Sequence, residues 1–125
     1  MSGSYRDLKA WQKAIELVSE IYSSTRSFPK NEQFGLAIQL RRAAVSIPSN
    51  IAEGKGRFSD KEFSLFLHHA RGSLFEVETQ LVIARRLGYI NEQDAGRLTS
   101  QAGELARMLN GLIQALKPVK AAAVA

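Results

Sequence analysis

Four segments of this chain repeat apolar residues at alternating spacings of three and four, and no stretch alternates them at a spacing of two. Spacings of three and four line up one side of an α-helix, whereas a half-buried strand needs a period of two. One such run is Phe63, Leu67, Ala70, Leu74, Val77, Leu81 and Ala84, three heptads of a bundle seam. This patterning predicts an all-α chain. With short connections it predicts an antiparallel up-down-up-down four-helix bundle, left-handed because the period is near 3.5.

The punctuation sets the expected elements: helices over about 5–25, 32–53, 59–87 and 92–116, together one bundle domain over 1–117, then a frayed or disordered tail over 118–125. Ser4 and Asp7 have capping-box spacing, and Leu8, Trp11, Ile15, Val18, Tyr22 and Thr25 form the expected core stripe of the first helix. Phe28-Pro29-Lys30-Asn31 is the break. The second helix carries Leu36, Leu40, Ala43, Ile47 and Ile51 on one face, and Phe34, Ile38, Val45 and Ala52 on nearly the opposite one. Pro48 is expected to kink or divide it, with Ser46, Ser49 and Asn50 placed to satisfy the freed carbonyl. Ser59 and Glu62 form a capping box for the third helix, and Gly88 ends it. Asn91 caps the fourth, whose stripe is Ala95, Leu98, Ala102, Leu105, Leu109, Leu112 and Leu116.

Composition narrows the chemistry. With 125 residues and no Cys, the chain offers one domain's worth of core and no disulfide, thiolate metal site or Cys nucleophile. The longest uncharged run, Ala43 to Ala52, is too short to span a membrane. Charged residues precede any apolar run at the N-terminus, so no signal peptide is expected and a cytoplasmic location is. A di-iron site needs Glu-x-x-His on two helices, but Leu65 and Phe66 precede His68 and His69 by three. Gly54-Lys55-Gly56 lacks the strand and the Lys-Ser/Thr ending of a phosphate loop. No triad spacing occurs, and Glu76 and Glu78 diverge on a helix. The expectation is a protein without metal, cofactor or enzymatic activity.

The net charge of +5 suits a polyanion partner. An up-down bundle gathers Arg6, Lys9, Lys55, Arg57, Lys61, Lys117 and Lys120 at one end against Asp7, Glu53, Asp60 and Glu62, a local excess of +3. Arg41 and Arg42 form a second basic site, read either as phosphate contacts or as ion-pair partners of Glu76 or Glu78. The candidate nucleic-acid contacts are Arg41, Arg42, Lys55, Arg57, Lys61 and Lys117. The surplus apolar residues Phe34, Ile38, Val45, Phe75 and Val82 are the candidate oligomer interface.

The order of these residues resembles a bacterial four-helix-bundle family linked to intervening sequences of large-subunit ribosomal RNA genes. The accessory variability determinant of diversity-generating retroelements looks like a relative. The resemblance rests on Tyr5-Arg6-Asp7-Leu8 with Trp11-Gln12-Lys13, Phe28-Pro29-Lys30, Phe34-Gly35-Leu36, Lys61-Glu62-Phe63 and Leu87-Gly88-Tyr89-Ile90. Above all it rests on the run from Arg41 to Gly54, with Pro48 inside it. Arg71 and the His68-His69 pair depart from the pattern. The resemblance implies a ring-like homo-oligomer, commonly a pentamer, with no established enzymatic activity. It extends to RNA or DNA and a protein such as a reverse transcriptase as partners. The alternative function is a protein–protein interaction scaffold with no direct nucleic-acid role.

Overall fold

The computed structural model describes residues 3–118 and contains four α-helices and no strand among them. They are α1 (Lys9–Thr25), α2 (Leu36–Lys55), α3 (Asp60–Arg86) and α4 (Glu92–Ala115), with 3-10 turns at Tyr5–Asp7 and Lys30–Glu32. The expected tail beyond Pro118 lies outside the described residues. Each helix packs on two others, in the cyclic order α1, α2, α3, α4 and back to α1. The core is the space they enclose, filled by fully buried Leu17, Ile21, Leu40, Ile47, Leu67, Leu74, Leu98 and Leu105.

The third helix follows its sequence pattern closely. All seven seam residues from Phe63 to Ala84 are buried. Ser59 Oγ accepts from Glu62 N at 3.1 Å and donates to Glu62 Oε1 at 3.1 Å. At the other end Gly88 takes φ +78°, a conformation that costs glycine little. Gly88 N then donates to Arg85 O and Tyr89 N to Ala84 O, so both terminal carbonyls are satisfied. Asn91 Oδ1 caps α4 by accepting from Asp94 N at 2.7 Å.

The first helix departs from expectation. Ser4 caps only the 3-10 turn, accepting from Arg6 N, and extended Leu8 separates that turn from α1. The buried stripe is Ala10, Ala14, Leu17, Ile21 and Thr25. Ile15 and Tyr22 are exposed, and Leu8, Trp11 and Val18 only partly covered, so most of the expected stripe flanks the core. Small Ala10 and Ala14 let α1 approach its neighbours closely, and the larger residues are left alongside the contact.

The second helix begins at Leu36 rather than Glu32, because Lys30–Glu32 closes as a 3-10 turn. Phe34 therefore sits in a turn and not on the second stripe of α2, and it is 89% exposed. Pro48 does not divide α2, which runs unbroken to Lys55. Pro48 leaves Ala44 O without its helical donor, and the expected side chains bond other carbonyls instead: Ser49 Oγ donates to Val45 O and Asn50 Nδ2 to Ser46 O. Near the end of α2, Gly54 lies so close to α3 that a Cβ would stand 2.6 Å from Phe66 Cβ. On α4 the stripe shifts after Leu109: Ile113 is buried, while Leu112 and Leu116 are partly exposed.

Candidate nucleic-acid interface

Four helix termini meet where α2 turns into α3. Gly54 packs on Phe63 and Phe66 of α3. Asp60, Lys61 and Ser64 at the start of α3 face Ala115, Leu116 and Lys117 across a cleft of about 490 Å³. Leu8, Lys9 and Ala10 at the start of α1 face Met108, Gly111 and Leu112 across another of about 310 Å³. Lys9, Lys55, Arg57, Lys61 and Lys117 are thereby gathered at one end. Among the described residues Arg57 alone of these is ion-paired, its Nη2 lying 2.7 Å from Glu53 Oε2, with its Cζ 4.8 Å from the centre of the Phe66 ring. Lys55 Nζ sits 5.8 Å from the centre of the Phe63 ring. Lys61 and Lys117 are exposed walls of one cleft and pair with no carboxylate among the described residues.

The adjacent arginines of α2 separate into different roles. Arg41 is partly buried; its Nε donates to Thr25 Oγ1 at 2.8 Å, its Nη2 reaches Gln33 Oε1 at 3.5 Å, and its Cζ lies 5.1 Å from the centre of the Tyr22 ring. Thr25, fully buried, donates its own hydroxyl hydrogen bond to Ile21 O at 2.7 Å. Gln33 Nε2 donates to Thr25 O and Phe28 O. Together these side chains close the C-terminus of α1, whose free carbonyls favour a cation. Arg42 is exposed beside a groove of about 250 Å³ between α2 and α3, lined also by Ser46, Ser73, Glu76 and Gln80. The Ser46 and Ser73 hydroxyls bond at 2.8 Å, while Gln80 Oε1 is buried without a partner. Neither arginine forms an ion pair with Glu76 or Glu78, so that expectation is corrected: Arg41 is held by neutral groups and Arg42 is free among the described residues.

The apolar candidates divide between two sides. Val45 lines a groove of about 280 Å³ between α1 and α2, with Tyr5, Trp11, Ile15, Val18 and Ala52. Val82 lines one of about 360 Å³ between α3 and α4, with Gly96 and Thr99, and Phe75 is half exposed on the same helix. The cyclic helix order sets these two grooves on opposite sides of the bundle. Ile38 is partly buried on α2, and Phe34 belongs to neither groove. Sequence reasoning assigned Trp11, Ile15 and Val18 to the core. The competing Ala10-Ala14-Leu17-Ile21 stripe was the signal that they flank it.

Two titrations are perturbed among the described residues, those of Tyr89 and Lys13. A hydrogen bond from Tyr89 Oη to Glu32 Oε2 at 2.9 Å holds the Tyr89 proton and raises its pKa, with burial and the Glu32 charge adding to it. Lys13 is raised by its hydrogen bond and charge attraction to Glu104, 3.0 Å away, and by Glu16. Among the described residues no group of three or more His, Asp or Glu side chains is placed to hold a metal ion, and no helix is long and apolar enough to cross a membrane.

Comparison with known proteins then identifies the relatives. Residues 6–111 match the model of a family described as 23S rRNA-intervening sequence protein. A crystal structure of a protein of unknown function from the S23 ribosomal protein family of Bacteroides thetaiotaomicron VPI-5482 superposes with a TM-score of 0.78. It is 23% identical, over 84% of this chain and 95% of that one. No curated protein matches the sequence.

Proposed function

The chain belongs to the 23S rRNA-intervening sequence protein family, and from that membership we propose that it is a non-enzymatic, ring-forming bundle that binds the backbone of RNA or DNA. The observation that carries the reading is the basic end, where Lys9, Lys55, Lys61 and Lys117 have no carboxylate within ion-pair distance among the described residues, while the Arg57–Glu53 pair sits beside them. Lysines of this kind bind phosphates as mobile point charges.

The helices run up-down-up-down. In support, Lys13 pairs with Glu104 and Glu20 with Arg97, so α1 and α4 run in opposite directions. Ser46 opposes Ser73 and Gly54 opposes Phe66, as α2 and α3 do when antiparallel. Two apolar grooves on opposite sides suit a head-to-tail contact, in which Val45 and its neighbours on one copy meet Phe75 and Val82 on the next. Such a heterologous contact closes into a ring when the rotation permits. A pentamer, carried from the family resemblance, would bring five copies of a +5 chain into one +25 assembly. Weak contacts then add through avidity.

Charge reversal tests the reading. Arg42→Glu combined with Lys61→Glu is expected to abolish binding of a 30-base-pair duplex at low salt while circular dichroism stays unchanged. Undiminished binding by that variant would remove the basic residues from the function. Co-purification of a protein that survives nuclease treatment, with no nucleic-acid affinity, would favour the scaffold alternative.

A further inference from the structure

Phe58 is the most exposed large apolar residue of the described chain, at 103% relative accessibility. It is not on a loose tip. Arg57 N donates to Gly54 O at 3.1 Å, and the Arg57 guanidinium is held between Glu53 and the Phe66 ring. On the other side Ser59 is fixed as the N-cap of α3. The ring is therefore presented to solvent by a short turn anchored at both ends, and nothing in the core depends on it.

Within three residues of Phe58 lie Lys55, the last residue of α2, Arg57, and Lys61 in the first turn of α3; Asp60 is also there and Arg57 is paired with Glu53, so the two lysines are the unpaired cations beside the ring among the described residues. An aromatic face beside free ammonium groups is what single-stranded nucleic acid needs, since a base stacks on the ring while flanking phosphates meet the charges. A paired base has no free face to offer. A membrane contact would require several apolar side chains at the same tip, and here Phe58 is flanked by Ser59, Asp60 and Glu62 instead.

We propose that Phe58 is a stacking platform for an unpaired base, so that the basic end prefers single-stranded RNA or DNA over duplex. This rests on the nucleic-acid reading above and deepens it from backbone attraction to strand selectivity.

The test compares a fluorescently labelled 20-nucleotide RNA, single-stranded and annealed to its complement, against the intact protein and the variants F58A and F58W. Base stacking on one aromatic corresponds to a loss of about fivefold to a hundredfold in affinity on truncation. F58A is expected to lose that factor for the single strand and nothing for the duplex, and F58W to retain the wild-type affinity for both. Equal affinities of wild type and F58A for the single strand, with salt-dependent binding intact, would overturn the platform and leave the backbone reading standing. Failure of the wild type to bind either RNA at low salt would overturn both. Anionic phosphatidylserine vesicles that capture wild type but not F58A, with RNA affinity unchanged, would assign the ring to a membrane.

Discussion

Replacing Gly54 by alanine places a methyl carbon 2.6 Å from Phe66 Cβ, 3.0 Å from Phe63 Cδ1 and 3.3 Å from Phe63 O. Two of those atoms are backbone or the root of a side chain, so rotamer changes alone cannot clear them. Helix propensity works in the other direction, because alanine in a helix is favoured over glycine by about 0.8–1.0 kcal/mol. Overpacking a close contact costs roughly 1–3 kcal/mol. The contact outweighs the propensity gain, and the expected result is a net destabilisation of up to about 2 kcal/mol. Gly72 supplies the control: it is exposed in α3 and a Cβ there meets nothing within 4 Å. Gly72→Ala should therefore stabilise by up to about 1 kcal/mol. Urea denaturation at one fixed protein concentration measures both, since the proposed assembly would make the midpoint concentration-dependent. If both substitutions stabilise alike, α2 and α3 do not approach as closely as described.

Other consequences are separable. Arg41→Ala should cost about 1–3 kcal/mol by removing the donor to buried Thr25 and loosening the α1 terminus, whereas Arg42→Ala should leave the urea midpoint nearly unchanged. Tyr89 has its pKa raised in the folded state, so its bond to Glu32 contributes stability below the ordinary tyrosine value of 10.0, and that contribution is lost as pH rises through the raised value. Alkaline unfolding of Tyr89→Phe should lack this step, with the phenol titration followed by ultraviolet absorbance. Val45→Glu should reduce the mass measured by light scattering to that of one chain, with helicity retained; an unchanged mass would exclude the α1–α2 groove from the assembly contact.

Legibility varied with the range of the forces involved. The α3 seam, the Ser59 and Asn91 caps and the Gly88 terminus depend on residues within one or two turns of each other, and all three formed as read. The start of α2 did not, because Gly35 adopts φ −107° and ψ −111° and sets Phe34 apart from the helix. The first helix offered two adjacent apolar stripes. Size favoured Trp11 and Ile15, whereas close helix packing selected Ala10 and Ala14. Arg41 was ambiguous because its partners, Thr25 and Gln33, are neutral and lie 16 and 8 residues away. At the candidate site, local order brought Lys55 and Arg57 onto the turn. The nearness of Lys61 to Lys117 required the tertiary fold.

The central claim is that the basic end binds nucleic-acid backbone through charge. Its most direct measurement is the affinity for a 30-base-pair DNA duplex across a series of salt concentrations. Each phosphate contacted contributes about −0.9 to the slope of log affinity against log salt. A ring engaging at least one phosphate per copy should give a slope steeper than about −4. A flat dependence, or no binding at the lowest salt, would contradict the account.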